Sequence, residues 1–113
     1  MNLLEKILLA TDFLESSTNV IGNAVALAQT FDSRITPIHV LPPGIDDEKA
    51  QRLLQQAANK QMAELKKHLE EKGITTDAPL LPIGVHFEEI VNAAEHIDAN
   101  MILIGASEKK ETE

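Results

Sequence analysis

Lys6-Ile7-Leu8-Leu9-Ala10-Thr11-Asp12 is the stretch whose reading decides the fold. It runs apolar without alternation and then breaks into small and acidic side chains. That pattern marks a strand buried on both faces, as in a parallel sheet covered by helices. Its carboxyl end, Ala10-Thr11-Asp12, falls where an open α/β sheet presents groups to a ligand.

Working outward, the first strand is expected over residues 3–10 and a polar connection over 12–17, with Ser16 or Ser17 capping the next helix. Val20, Ala24, Leu27, Ala28 and Phe31 recur at helical spacing, which predicts an amphipathic helix over 17–31, broken at Asp32-Ser33. Arg34 to Leu41 reads as a second strand ending at Pro42-Pro43-Gly44. Pro37 lacks a ladder donor, so irregularity is expected beside it. Asp46, Asp47 and Glu48 open the longest helix at the positive end of its dipole. Its apolar stripe is Ala50, Leu53, Leu54, Ala57, Ala58, Met62, Leu65 and Leu69, and Gly73 stops it. Thr75 to Ile83 reads as an edge strand, because Pro79 and Pro82 suit a sheet edge. Phe87, Ile90, Val91, Ala94 and Ile97 predict a third amphipathic helix, and Met101 to Gly105 a fourth strand without alternation. The order β-α-β-α-β-α-β implies an open sheet with helices on both faces. Residues 1–105 read as one domain and 106–113 as a polar tail or an interrupted loop.

Composition narrows the function classes. Among 113 residues, 18 are acidic and 10 basic, a formal charge of −8 that repels a phosphate backbone and argues against nucleic acid. The three aromatics, all Phe, provide no stacking platform for single strands. Without cysteine there are no disulfides, thiolate metal sites or cysteine nucleophiles. No apolar run reaches membrane-spanning length and residues 1–9 lack a signal-peptide pattern, so a cytoplasmic location without membrane contact is the expectation.

The five glycines, at 22, 44, 73, 84 and 105, form neither G-x-G-x-x-G nor G-x-x-x-x-G-K-[ST], and G-x-S-x-G is absent. No enzyme is expected. Asp12 has two readings. Its carboxylate could accept from ribose hydroxyl or adenine amino donors or hold Mg²⁺, or it could cap a turn ahead of the helix. His39 reads as a satisfied core or rim histidine ahead of a catalyst, His86 as a capping or surface residue ahead of one that touches a ligand, and His68 and His96 as exposed helix residues. No two have metal-ligand spacing on one helix face, so no zinc site is expected.

The order of these features resembles the universal stress protein family. The resemblance is carried by Lys6 to Asp12 with Ser16-Ser17 after it, Ile38-His39-Val40, Gly84 before the third helix, and Ala99-Asn100-Met101-Ile102-Leu103-Ile104-Gly105. It implies a Rossmann-like sheet of the adenine nucleotide alpha hydrolase type, in the order 3-2-1-4-5, assembled as dimers through the fifth strand. One branch of that family binds ATP or related nucleotides and another does not. In the binding branch, positions matching Ala10, Thr11 and Asp12 line the adenosine, the backbone at Val40 meets the adenine, and a G-2x-G-9x-G-[ST] loop beginning at Gly105 holds the phosphates. This chain departs from that loop: Glu108 stands where glycine is wanted, and a carboxylate there repels phosphate. The last glycine and its hydroxyl partner would fall beyond Glu113.

The expectation is therefore strand order 3-2-1-4 with the fifth strand missing, in a chain cut inside the phosphate loop. A complete member that has given up nucleotide binding is the alternative. Two functions follow from the resemblance. One is a regulatory module of the stress response with a residual ATP or AMP site at the carboxyl ends of strands 1, 2 and 4, with or without Mg²⁺. The other is a non-catalytic interaction or homodimerisation module acting through a sheet edge.

Overall fold

The computed structural model describes residues 3–12 and 16–105, with the side chains of Ser16 and Ser17 outside that description. The expected cap at Ser16 or Ser17 and the expectations for Glu108 and the tail therefore lie outside the described residues. The elements are β1 (Lys6–Ala10), α1 (Ser16–Phe31), β2 (Arg34–Ile38), α2 (Glu48–Glu71), α3 (His86–Ile97) and β3 (Met101–Ile104). The strands form a parallel sheet in the order β2-β1-β3. Four of the five residues of β1 are buried, as its unbroken apolar run requires.

The expected third strand over 75–83 is not a regular strand. It lies along the outer side of β2 through three isolated parallel bridges, Ile35 with Thr76, Ile38 with Leu80 and Leu41 with Ile83. The positions follow the expected 3-2-1-4 order, but the sheet proper has three strands. The cause is visible in the bridge spacing. Three steps on β2, from Ile35 to Ile38, face four steps on the segment, from Thr76 to Leu80. The extra residue falls opposite Pro37, which has no N–H to donate and whose carbonyl instead accepts from Leu80 N at 2.9 Å. The irregularity expected near Pro37 is this bulge. It also ends regular pairing of β2 at Ile38, short of the expected Leu41.

Two cores flank the sheet. Ile7, Leu9 and Ile35 point to the face covered by α1 and α2, where they pack with Val20, Ala24, Ala28, Met62, Leu65 and Leu69. Leu8, Ala10 and Ile38 point to the other face, where Ile90 of α3 covers them. The second core is smaller because α3 does not reach across β3. Ile102 and Ile104, paired in register with Leu8 and Ala10, are each 38% exposed. Burial on both faces, expected for that strand, is corrected to an alternation of half-buried and exposed residues.

The helix stripes are also only partly buried. Ala58, Met62, Leu65 and Leu69 are the buried residues of α2, whereas Leu53 is 57% exposed and Leu54 is exposed as well. Phe31, Phe87 and Val91 are likewise exposed.

Local chemistry sets the helix ends. Asp47 caps α2, its side chain accepting from Lys49 N at 3.0 Å. At the other end Gly73 takes φ 80°, and Gly73 N and Ile74 N return to Glu70 O and Leu69 O at 3.0 and 3.1 Å. This Schellman turn also seats Ile74 against Leu69 in the core. α1 and α3 end on aspartates in the left-handed region, Asp32 at φ 54° and Asp98 at φ 56°. Asp tolerates that conformation better than most residues, though less well than glycine. Among the described residues no helix is long and apolar enough to cross a membrane.

Side chains fasten the amino end of the sheet. Asn100 Oδ1 accepts from Glu5 N and Lys6 N at 3.0 and 2.8 Å, while Asn100 N donates to Lys6 O at 2.8 Å. Lys6 Nζ donates to Ile97 O at 3.0 Å, near the end of α3, where a cation is favoured. Ser33 Oγ donates to Leu4 O, and Asp77 takes hydrogen bonds from Arg34 and, at 3.1 Å, from Thr36 Oγ1.

Candidate functional site at the carboxyl end of the sheet

Parallel pairing brings the carboxyl ends of all three strands to one side of the molecule. Ala10 is in register with Ile38 on β2 and with Ile104 on β3. Ala10, Thr11 and Asp12 therefore sit between Val40 on one side and Gly105 on the other. The five residues singled out from the sequence share this end, and the crevice beyond such strand ends is where open α/β sheets bind ligands.

Their exposure differs. Ala10 is 3% exposed and packs in the cluster that also takes Val40. Thr11 is 4% exposed, and its N–H extends the ladder to Ile38 O at 3.1 Å. Asp12, Val40 and Gly105 are half-buried. The end therefore has a packed floor, Ala10 and Thr11, and three positions that retain access.

His39, read from the sequence as a satisfied core or rim histidine, belongs to this end as well. Its backbone N–H donates to Leu80 O at 3.0 Å, and its ring Nδ1 lies 2.7 Å from Thr11 O. A carbonyl only accepts, so Nδ1 carries the proton. The one available signal was its position directly before Val40.

His86 is exposed at the start of α3, where its ring meets Phe87 edge-on with centroids 4.8 Å apart. Val85 is the cap residue of that helix, and no side chain caps it, so of the two readings of His86 the surface one holds. Glu89 folds back over Gly84, where a Cβ would lie 2.6 Å from its carboxylate. Beyond β2, Leu41, Pro42, Ile45, Gln51, Leu54 and Ile83 enclose a recess of about 70 Å³. Among the described residues no three His, Cys, Asp or Glu side chains converge on a cation position.

With this geometry, comparison with known proteins has a specific meaning. A search of curated protein sequences finds no match. Solved structures match the fold across most of the chain. One is a universal stress protein family member from Burkholderia pseudomallei, with TM-score 0.83, 21% identity, and 94% of this chain covering 84% of that one. A universal stress protein from Archaeoglobus fulgidus gives TM-score 0.72 at 20% identity, over 88% of this chain and 73% of that one. A universal stress protein solved in complex with cAMP gives TM-score 0.69 at 15% identity, over 88% and 70%. At these identities the likeness is one of fold. The sequence itself matches the model of the universal stress protein family over residues 4–113, which takes in β1, β2, β3 and the strand ends described above, and on that match the chain belongs to the universal stress protein family.

Proposed function

We propose that the chain is a non-catalytic, cytoplasmic module of the stress response that takes the adenosine part of an adenine nucleotide, ATP or AMP, at the carboxyl ends of β1, β2 and β3. The observation that carries this reading is the convergence of Asp12, Val40 and Gly105 around the buried floor of Ala10 and Thr11. Asp12 supplies the acceptor for ribose hydroxyls, and the main chain at Val40 faces the base. One structural relative was solved with cAMP, a ligand with the same adenosine core. By the family resemblance Glu108 stands where the phosphate loop wants glycine, and a carboxylate there disfavours phosphate, so most of the affinity is expected from the nucleoside.

Isothermal calorimetry with AMP, adenosine and ATP tests the reading. AMP and adenosine are expected to compete with ATP at similar affinity. Absence of heat and of a thermal shift with all three at millimolar concentration defeats it.

A second reading rests on a different observation. β3 is the last strand on its side of the sheet among the described residues, and Ile102 and Ile104 stand exposed on it. An apolar strand with unpaired backbone groups favours edge pairing with a second copy, giving a homodimer. Light scattering over a concentration series should show a dimer that Ile102→Lys returns to monomer; a wild-type monomer at all concentrations rejects this reading.

A further inference from the structure

We propose that His39 is the positioning residue of the nucleotide end: by donating its Nδ1 proton to the Thr11 carbonyl, it fixes the main chain that carries Asp12 and frees Val40 for the ligand. This rests on the adenosine reading above and extends it to a side chain outside the group that meets the nucleotide.

The argument comes from the ladder between β1 and β2. Arg34 N donates to Glu5 O at 2.8 Å, and Thr11 N donates to Ile38 O at 3.1 Å. Rungs of a parallel pair advance by two residues on each strand. The next rung would therefore run from Val40 N to Thr11 O. Among the described backbone bonds that rung does not occur, and the ring of His39 holds the same carbonyl at 2.7 Å. The side chain does at this point what the backbone does earlier in the ladder. Two consequences follow. Thr11 is held by Ile38 through its N–H and by His39 through its C=O, so the direction in which the chain enters Asp12 is set. The Val40 N–H, no longer committed to the sheet, remains a donor beside the place the base would take.

His39 is itself anchored. Its N–H donates to Leu80 O on the segment beyond β2, so ring and backbone together join that segment, β2 and β1 at one level. A hydrophobic residue of similar volume would keep the packing and lose the ring donor. Asparagine would keep a donor, because its side-chain nitrogen is as many bonds from Cα as histidine Nδ1.

The test uses the full chain and AMP as the probe. In long-range ¹H–¹⁵N spectra of the neutral imidazole, His39 is expected to carry its proton on Nδ1; a proton on Nε2 overturns the proposal before any substitution is made. His39→Leu should weaken AMP binding about tenfold and speed exchange of the Thr11 amide about tenfold, the effect of one hydrogen bond. The amides of Ile7 and Leu8 should keep the protection that global stability gives them. His39→Asn should stay within about threefold of wild type in both readouts. Equal losses in the two variants, or none in His39→Leu, overturn the positioning role. If wild-type protein binds no AMP, the adenosine reading falls, and the ring tautomer with Thr11 exchange still decides whether the latch exists.

Discussion

The two ends of the sheet are built differently. At the amino end, Asn100 and Lys6 tie β1 to β3 and α3, Ser33 ties the start of β2 to Leu4, and Arg34 and Thr36 of β2 hold Asp77 on the irregular segment. At the carboxyl end the described cross-strand side-chain bond is that of His39 to Thr11. The difference teaches where rigidity is needed. Fastened at one end, the strands hold their register, and the other end leaves Asp12, Val40 and Gly105 half-buried, where a ligand can reach them.

The largest expected effect tests that division at the carboxyl end. Asp12→Ala should lower AMP affinity by about ten- to a hundredfold, the range for removing a charged acceptor from a bound ligand. The urea midpoint should fall by no more than the loss of one hydrogen bond, about 1 kcal/mol, explains. A fall in midpoint with unchanged AMP affinity would make Asp12 the turn cap of the other sequence reading, and the division of labour would fail.

Asn100→Ala tests the opposite end. It removes the acceptor for two backbone donors, Glu5 N and Lys6 N, and should cost about 1.5 kcal/mol of stability in urea unfolding. AMP affinity of the folded variant should not change. A loss of affinity larger than the loss of stability would show that the two ends are not separable.

A smaller effect, of opposite sign, comes from the turn that delivers α3 to that clasp. Asp98 sits at φ 56° two residues before Asn100. Asp98→Gly should raise stability by about 1 kcal/mol, because glycine adopts the left-handed region without the Cβ penalty. Destabilisation instead would mean that the Asp98 side chain contributes to holding the clasp.

Much of this arrangement was legible in the sequence, for physical reasons. The unbroken apolar run of Ile7 to Ala10 allows only a strand covered on both sides, and that fixes the centre of the sheet. Gly73 announced the end of α2 because the turn needs a positive φ there. The ambiguity of residues 75–83 was also physical: two prolines remove donors, and a bulge opposite Pro37 cannot be counted from the sequence. Ile102 and Leu53 misled because apolar periodicity records which face could be buried, not whether anything covers it. At the site, strand-end logic pointed to Ala10, Thr11 and Asp12 and the family resemblance supplied Val40 and Gly105; parallel register puts them at one end of the sheet. His39 was read as a satisfied core or rim residue without its partner being named, because a hydrogen bond from a ring to a carbonyl 28 positions away in the chain leaves no periodic trace.

The smallest effect concerns the ion pair that pins the irregular segment at the amino end. The Arg34 guanidinium, which donates to Asp77, is the main reason the Asp77 carboxyl sits below its ordinary value of 3.8; Thr36 adds to this and partial burial opposes it. A carboxylate with a lowered pKa in the folded state contributes stability that is fully present above the unfolded value. That stability is lost as pH falls through the folded value. The difference in urea midpoint between wild type and Asp77→Ala should therefore be constant from neutral pH down to about 5, and its charge-dependent part should vanish well below 3.8. Arg34 is exposed, so the difference should be small and should shrink further in high salt. No difference at neutral pH would mean that residue 77 holds the segment through its backbone N–H to Ile35 O alone, at 2.9 Å, a bond that Asp77→Ala keeps. The amino end would then owe its register to the main chain, and its contrast with the His39 end would rest on Asn100 and Lys6.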